Sequence, residues 1–146
     1  MIKTFRGILV DGGQDRIRLS TKKGKVGYKI VKFQGFPNLP GTTDSESILR
    51  IYKFKHSGPS TTDANVDFTD GNLLAVLIVP GSSSYLYPGQ TNLIVFDREI
   101  FNQDIYITHT NTEGAQKSNY YLELESFMLS DHDVVVTTLK DVRQQN

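Results

Sequence analysis

Apolar and polar positions alternate in short runs along this chain, and few of the runs have helical spacing. Asp15 to Leu19 places Ile17 and Leu19 on one side and Arg16 and Arg18 on the other, the period of a half-buried strand. Ser47 to Lys55 repeats it, with Ile48, Arg50, Tyr52 and Phe54 facing one way and Leu49, Ile51, Lys53 and Lys55 the other. Leu122 and Leu124 alternate with Glu123 and Glu125. The densest stretch is Lys25 to Gln34, which holds Val26, Tyr28, Ile30, Val31 and Phe33. Such β-branched and aromatic residues fit a pleated surface. Because its apolar side chains fall on both faces, it is expected to be a central strand around which the chain is organised.

The remaining elements follow from turn chemistry. Ile2 to Leu9 reads as a first strand ended by Asp11-Gly12-Gly13. The turn Thr21 to Gly24 predicts a hairpin joining the strand at Asp15 to the one at Lys25. Val66 and Phe68 mark a short strand, and Leu73 to Val79 a buried one closed by Pro80-Gly81. Asn92 to Phe96, Asp104 to Thr110 and Asn119 to Leu129 are three more, the last two expected to pair as a hairpin. Asp97 to Gln103 reads as a short helical turn. In the tail, Val134 to Thr138 favours strand by propensity. The alternative is a helix capped by Asp131 or Asp133, with Val135, Leu139 and Val142 on one face. Strand is the expectation here. Eight or nine short strands between Gly, Pro and Asn turns predict an all-β chain: a single-domain antiparallel β-sandwich, jelly-roll-like, over residues 1–146.

Composition narrows the function classes. The chain has no cysteine, which removes disulfides, thiolate metal sites and a thiol nucleophile. Its first residues lack the apolar core of a signal peptide, and the longest apolar run, Leu73 to Val79, is too short to cross a bilayer. The expectation is a soluble protein made in a cytoplasm, with no membrane partner. Net charge is zero, but twelve Lys/Arg against four Asp/Glu fall through residue 55, and the reverse holds beyond it. If that division survives folding, a basic face meets an acidic one on a neighbour. Arg16, Arg18, Lys22, Lys23 and Lys25 are the candidate interface residues. Tyr28 and Phe33 among such cations resemble a single-strand nucleic-acid groove, but zero net charge argues against that partner.

No constellation points to catalysis, a metal or another cofactor. Glu123 and Glu125 share a face, the arrangement of a glycosidase carboxylate pair, yet they are the solvated partners of Leu122 and Leu124. Asp63, Asn65, Asp67 and Asp70 resemble a calcium loop, but Phe68 stands where its glycine belongs. His56, His109 and His132 have no zinc-like spacing. Tyr85 and Tyr87, on a Ser/Gly loop, are a candidate ligand-contact pair for a saccharide.

Two stretches carry a resemblance. Asp11 to Thr21 with Gly27 to Gln34, and Asn92 to His109 with Asn119 to Glu125, resemble small virion structural proteins of tailed phages of marine bacteria. The likeness covers most of the chain and brings no catalytic residue with it. It implies a non-enzymatic late protein of the virion, made in the host cytoplasm. Capsid decoration or cement, stabilising the head by subunit contacts, is the first placement; tail or neck is the variant. Implied partners are other virion proteins, the major capsid protein foremost, and further copies in a homo-oligomer. The other reading is a saccharide-binding β-sandwich used in host attachment.

Overall fold

The structure, a computed structural model, describes residues 1–42, 44–56, 64–81, 92–114 and 116–143. It contains eight strands: β1 (Ile2–Leu9), β2 (Gln14–Ile17), β3 (Val26–Pro37), β4 (Glu46–Tyr52), β5 (Leu73–Pro80), β6 (Asn92–Val95), β7 (Ile105–Asn111) and β8 (Ser118–Met128). One helix, α1 (Asp131–Arg143), follows them. The strands form two antiparallel sheets, β1-β8-β3 and β2-β7-β4-β5-β6. First strand pairs with last, second with seventh, and the chain passes repeatedly between layers, as in a jelly roll. The departure is β6, which stays beside β5 and leaves the first sheet with three strands.

The core lies between the sheets. Leu122 and Leu124 of β8, Phe33 and Tyr28 of β3, and Leu9 of β1 meet Leu49, Ile51, Leu77, Ile105 and Ile107 from the other layer. Glu123 and Glu125 are half-buried opposite them, so the alternation expected for β8 holds. It holds from the end of β2 into the residues that follow: Ile17 and Leu19 are buried, Arg16 and Arg18 exposed. A smaller cluster of Tyr52, Leu73 and Val76 lies apart from this core, with Val66 and Phe96 packed on it. Residues 66 and 68 form no strand; Phe68 is exposed and meets Phe96 edge-on at 5.0 Å.

Three expectations about pairing are corrected. The stretch at Lys25 is an edge strand, since among the described residues β3 pairs only with β8 apart from an isolated bridge between Tyr28 and Phe101. Its apolar residues are not divided between two buried faces. The register shifts between Ile30 and Lys32, so Val31 is an extra, bulged residue, 49% exposed. The bulge changes the parity of the strand. Ile30 sits opposite Leu124, and Phe33, three residues on, sits opposite Leu122 on the same inward side. Nor are there hairpins at residues 21–24 or 112–117: β2 and β3, like β7 and β8, belong to different sheets. Turn residues mark where the chain bends, not whether it returns to the same layer.

Two local readings also change. Residues 97–98 form a tight turn rather than a helical one. Asp97 and Arg98 have φ of 57° and 46°, and the Glu99 N–H reaches the Phe96 carbonyl at 3.4 Å. The tail is a helix, not a strand. The Ser130 hydroxyl oxygen accepts the Asp133 N–H at 3.2 Å while its O–H donates to the Asp133 carboxylate at 2.7 Å. This reciprocal cap outweighs the β-propensity of the three valines. The helix is turned opposite to its apolar pattern: Val135 and Leu139 are exposed, while Thr137 and Asp141 are buried.

Candidate functional site

The candidate cations separate into two groups. Arg16 and Lys25 have carboxylate partners within the chain. The Arg16 guanidinium meets Asp104 at 2.6 Å, and Asp104 also accepts the Leu19 and Ser20 N–H groups at 2.8 Å. Burial acts to raise the Asp104 pKa, but these donors outweigh it and lower it to about 2. Lys25 lies 3.5 Å from Asp131 at the start of α1, and Lys29, across the sheet, 3.1 Å from Glu125. The sequence-level charge division is thus closed in part inside the fold. Arg18, Lys22 and Lys23 are exposed and have no ion pair among the described residues.

The fold brings Lys22 and Lys23 against α1. Residues Thr21 to Gly24 form a turn, closed by the Gly24 N–H on the Thr21 carbonyl at 3.1 Å. Gly24 has a φ of 61°, and a Cβ there would stand 3.0 Å from the Asn102 amide nitrogen. That turn and the helix enclose a hollow of about 370 Å³, lined by Lys22, Lys23, Gln103, Val135, Thr138 and Leu139 among others. Val135, Val136 and Leu139, the last 51% exposed, extend the apolar surface beside the two lysines.

What holds α1 with its apolar side outward is a buried polar lock. Lys53, just past β4, is 2% exposed and pairs with Glu99, and lies 3.9 Å from Asp141 of the helix. Lys140 reaches Glu99 at 3.2 Å. The Asn102 amide group donates to Thr138 at 2.8 Å and to the Gly24 carbonyl at 3.1 Å. Burial raises the Asp141 pKa to about 6, against the opposing pull of the Asn102 N–H and Lys53. Two carboxyl groups and two lysines therefore meet at the helix seat, and one carboxyl holds its proton into the mildly acidic range.

A second surface lies on the outer side of the three-stranded sheet. The inward row Gly7–Tyr120–Gly35 lacks side chains at both ends. The Tyr120 ring lies across Gly7, where a Cβ would meet it at 2.8 Å, and its hydroxyl donates to Asp15 at 2.8 Å. A Cβ on Gly35 would meet Leu49 and Val79 of the other sheet at 2.7 Å, so the layers approach closely there. Above these glycines is an open hollow of about 670 Å³. Its walls are two outward rows, Arg6–Tyr121–Gln34 and Ile8–Asn119–Phe36. Phe36 is 61% exposed. The Tyr121 hydroxyl donates to Glu123 at 2.8 Å, which raises its pKa. The Asn119 amide donates to the Phe36 carbonyl at 3.3 Å.

The other candidates are accounted for locally. Asp67 and Asp70 each accept an N–H two residues on, at 2.9 Å, as turn-forming aspartates do; Asp63 lies outside the described residues. His56 stacks on Tyr52 with centroids 3.5 Å apart, and His109 is fully buried with Nδ1 3.0 Å from the Val10 carbonyl. Burial lowers both histidine pKa values. Among the described residues no three His, Asp or Glu side chains gather as a metal set. Tyr85 and Tyr87 lie outside the described residues. The sequence reading missed the hollow of the first sheet because Arg6, Phe36 and Tyr121 meet only through the pairing of three distant strands. The alternation of Arg6 and Ile8 with Gly7 was the one local sign.

No protein-family model matches this chain, and no curated protein matches it. Among solved structures it is similar to a chain described under "Bacillus endospore appendages form a novel family of disulfide-linked pili". The likeness has 10% identity and a TM-score of 0.37, over 88% of this chain and 89% of that one.

Proposed function

We propose that this chain is a non-enzymatic structural subunit that works by surface contact in a phage particle. Head decoration is the first placement, and tail or neck the variant. One observation carries the contact half of this reading: α1 is locked to the body by its polar side and presents Val135, Val136 and Leu139 to solvent beside Lys22 and Lys23. A helix buries its apolar stripe when it has only its own chain to satisfy. Turned the other way and held by a desolvated lock, it offers a surface for a partner. Each is already about half covered, so burying the remainder contributes roughly 0.7–1.5 kcal/mol per side chain. The neighbouring exposed lysines would set register and encounter rate more than affinity. The virion half rests on the sequence resemblance; jelly-roll domains also build viral capsids, though the architecture hosts many functions. In this reading the partners are other virion proteins, the major capsid protein foremost, and further copies.

The test is incorporation into particles. Val135→Asp with Leu139→Asp changes only exposed positions, so the melting temperature should stay close to that of the parent. Incorporation should fall at least tenfold. A variant that assembles like the parent would remove the helix from the contact. Failure to find the parent chain in any particle would remove the virion placement.

A further inference from the structure

We propose that the outer face of the three-stranded sheet is a binding site for a saccharide carrying a carboxylate, laid across β1, β8 and β3. This surface shares no residue with the helix face and does not depend on it. Three features define the ligand. First, the hollow of about 670 Å³ is broad and open, crossing all three strands, and its floor is the backbone at Gly7 and Gly35. An open trough of this kind fits an extended polar chain better than a compact apolar molecule, which is engulfed on most sides. Second, it presents two aromatic side chains, Tyr121 and Phe36, in adjacent rows. The C–H face of a pyranose ring packs on such rings while its hydroxyls stay at the edges, where Gln34 and Asn119 stand. Tyr121 is held by its bond to Glu123, and Asn119 by its bond to the Phe36 carbonyl. The platform is therefore ordered before a ligand arrives, which lowers the entropic cost of binding.

Third, Arg6 lines the hollow, is exposed, and has no carboxylate partner among the described residues. On the same face Lys29 is already taken up by Glu125. A guanidinium presents paired N–H donors that match a carboxylate. A sugar acid supplies that anion on the same ring that stacks. The next two rows set Glu123 beside Lys32 and Glu125 beside Lys29, so the cations of this face alternate with carboxylates that would repel a nucleic-acid backbone.

The experiment is calorimetric titration of the full chain with tetragalacturonate, with cellotetraose and a short oligothymidylate as controls. Binding of tetragalacturonate with weaker or no binding of both controls supports the site. Arg6→Gln should then weaken binding about tenfold or more, and Tyr121→Ala should abolish it, with melting temperatures near that of the parent. Tyr121→Phe, which keeps the ring, should retain most of the affinity even if Tyr121→Ala is poorly folded. Equal affinity for cellotetraose would overturn the anionic class. Tighter binding of oligothymidylate would assign the face to nucleic acid instead. No tetragalacturonate binding at millimolar concentration, or binding unchanged by Arg6→Gln, would overturn the proposal.

Discussion

The Asp141 carboxylate on the last helix stands 3.9 Å from the Lys53 ammonium at the end of β4, and both side chains are almost fully withdrawn from water. The pair joins the helix to the sandwich where Glu99 and Lys140 also converge. Desolvating such charges is costly, and removing one partner leaves the others uncompensated. Lys53→Met should therefore destabilise the fold by about 3–5 kcal/mol, read as a shift in the denaturant midpoint. A loss under about 1 kcal/mol would show that the lock is not closed in solution.

Asp141 makes the lock pH-dependent. Its folded pKa is raised from 3.8 to about 6, so the folded chain binds more protons than the unfolded chain between those values. Its contribution is fully present below pH 3.8 and is lost as pH rises through 6. His56 and His109, with lowered values, act in the opposite sense as pH falls below their ordinary 6.5. The difference between variants isolates the carboxyl. Asp141→Asn should remove this falling limb, gaining stability relative to the parent as pH rises from about 4 to about 6.5. A parent and variant that differ by a constant over this range would refute it.

Asp104 has the reverse sign. Its pKa is lowered from 3.8 to about 2, so its contribution is present above pH 3.8 and is lost as pH falls through 2. Asp104→Asn should flatten the acid limb of the stability curve in that window and leave the limb near pH 6 unchanged.

The bulge at Val31 determines which residues of β3 face inward. Deleting Val31 removes the extra residue and leaves Ile30 and Phe33 two apart, both still inward opposite Leu124 and Leu122. The expected outcome is a variant that still unfolds cooperatively. Val31→Thr, which keeps the extra residue at an exposed position, should cost less than about 1 kcal/mol. Loss of cooperative unfolding on this deletion would refute the parity argument.

Leu124 is fully buried opposite Ile30 on β3 and Lys3 on β1. Leu124→Ala should cost about 2–5 kcal/mol. A loss under about 0.5 kcal/mol would contradict the register of β8.

Periodicity carried the strands whose two faces differ. Arg16, Ile17, Arg18 and Leu19 lie as their alternation predicts, and so do Leu122 to Glu125, because each has one wet side. It misled where a single extra residue reversed the pattern, as at Val31, since an insertion in the ladder has no composition of its own. The interior lock left a trace. Lys53 falls in alternation with Leu49 and Ile51, the side of β4 that faces the main core, and a buried lysine there needs a carboxylate. Nothing near residue 53 says that one partner follows a left-handed turn at 97–98 and the other lies on a helix. The tail was misread because three valines outweigh a serine on propensity alone. The Ser130–Asp133 cap is local and stands in the sequence spacing, whereas the seat for Asp141 exists only once the helix has docked.

The pairing of β1 with β8 also governs the order of events in time. Ser126 donates its N–H to the Met1 carbonyl, closing a span of 125 residues. Ordering a loop of that length before any contact rewards it slows the step. The β4–β5 pair, nearer in sequence, is the expected early structure, and β1 should join last. Substitutions in β4 should then slow refolding. Those in β1 should leave refolding nearly unchanged and speed unfolding instead, so the resting lifetime of the subunit would be governed by the strand that arrives last.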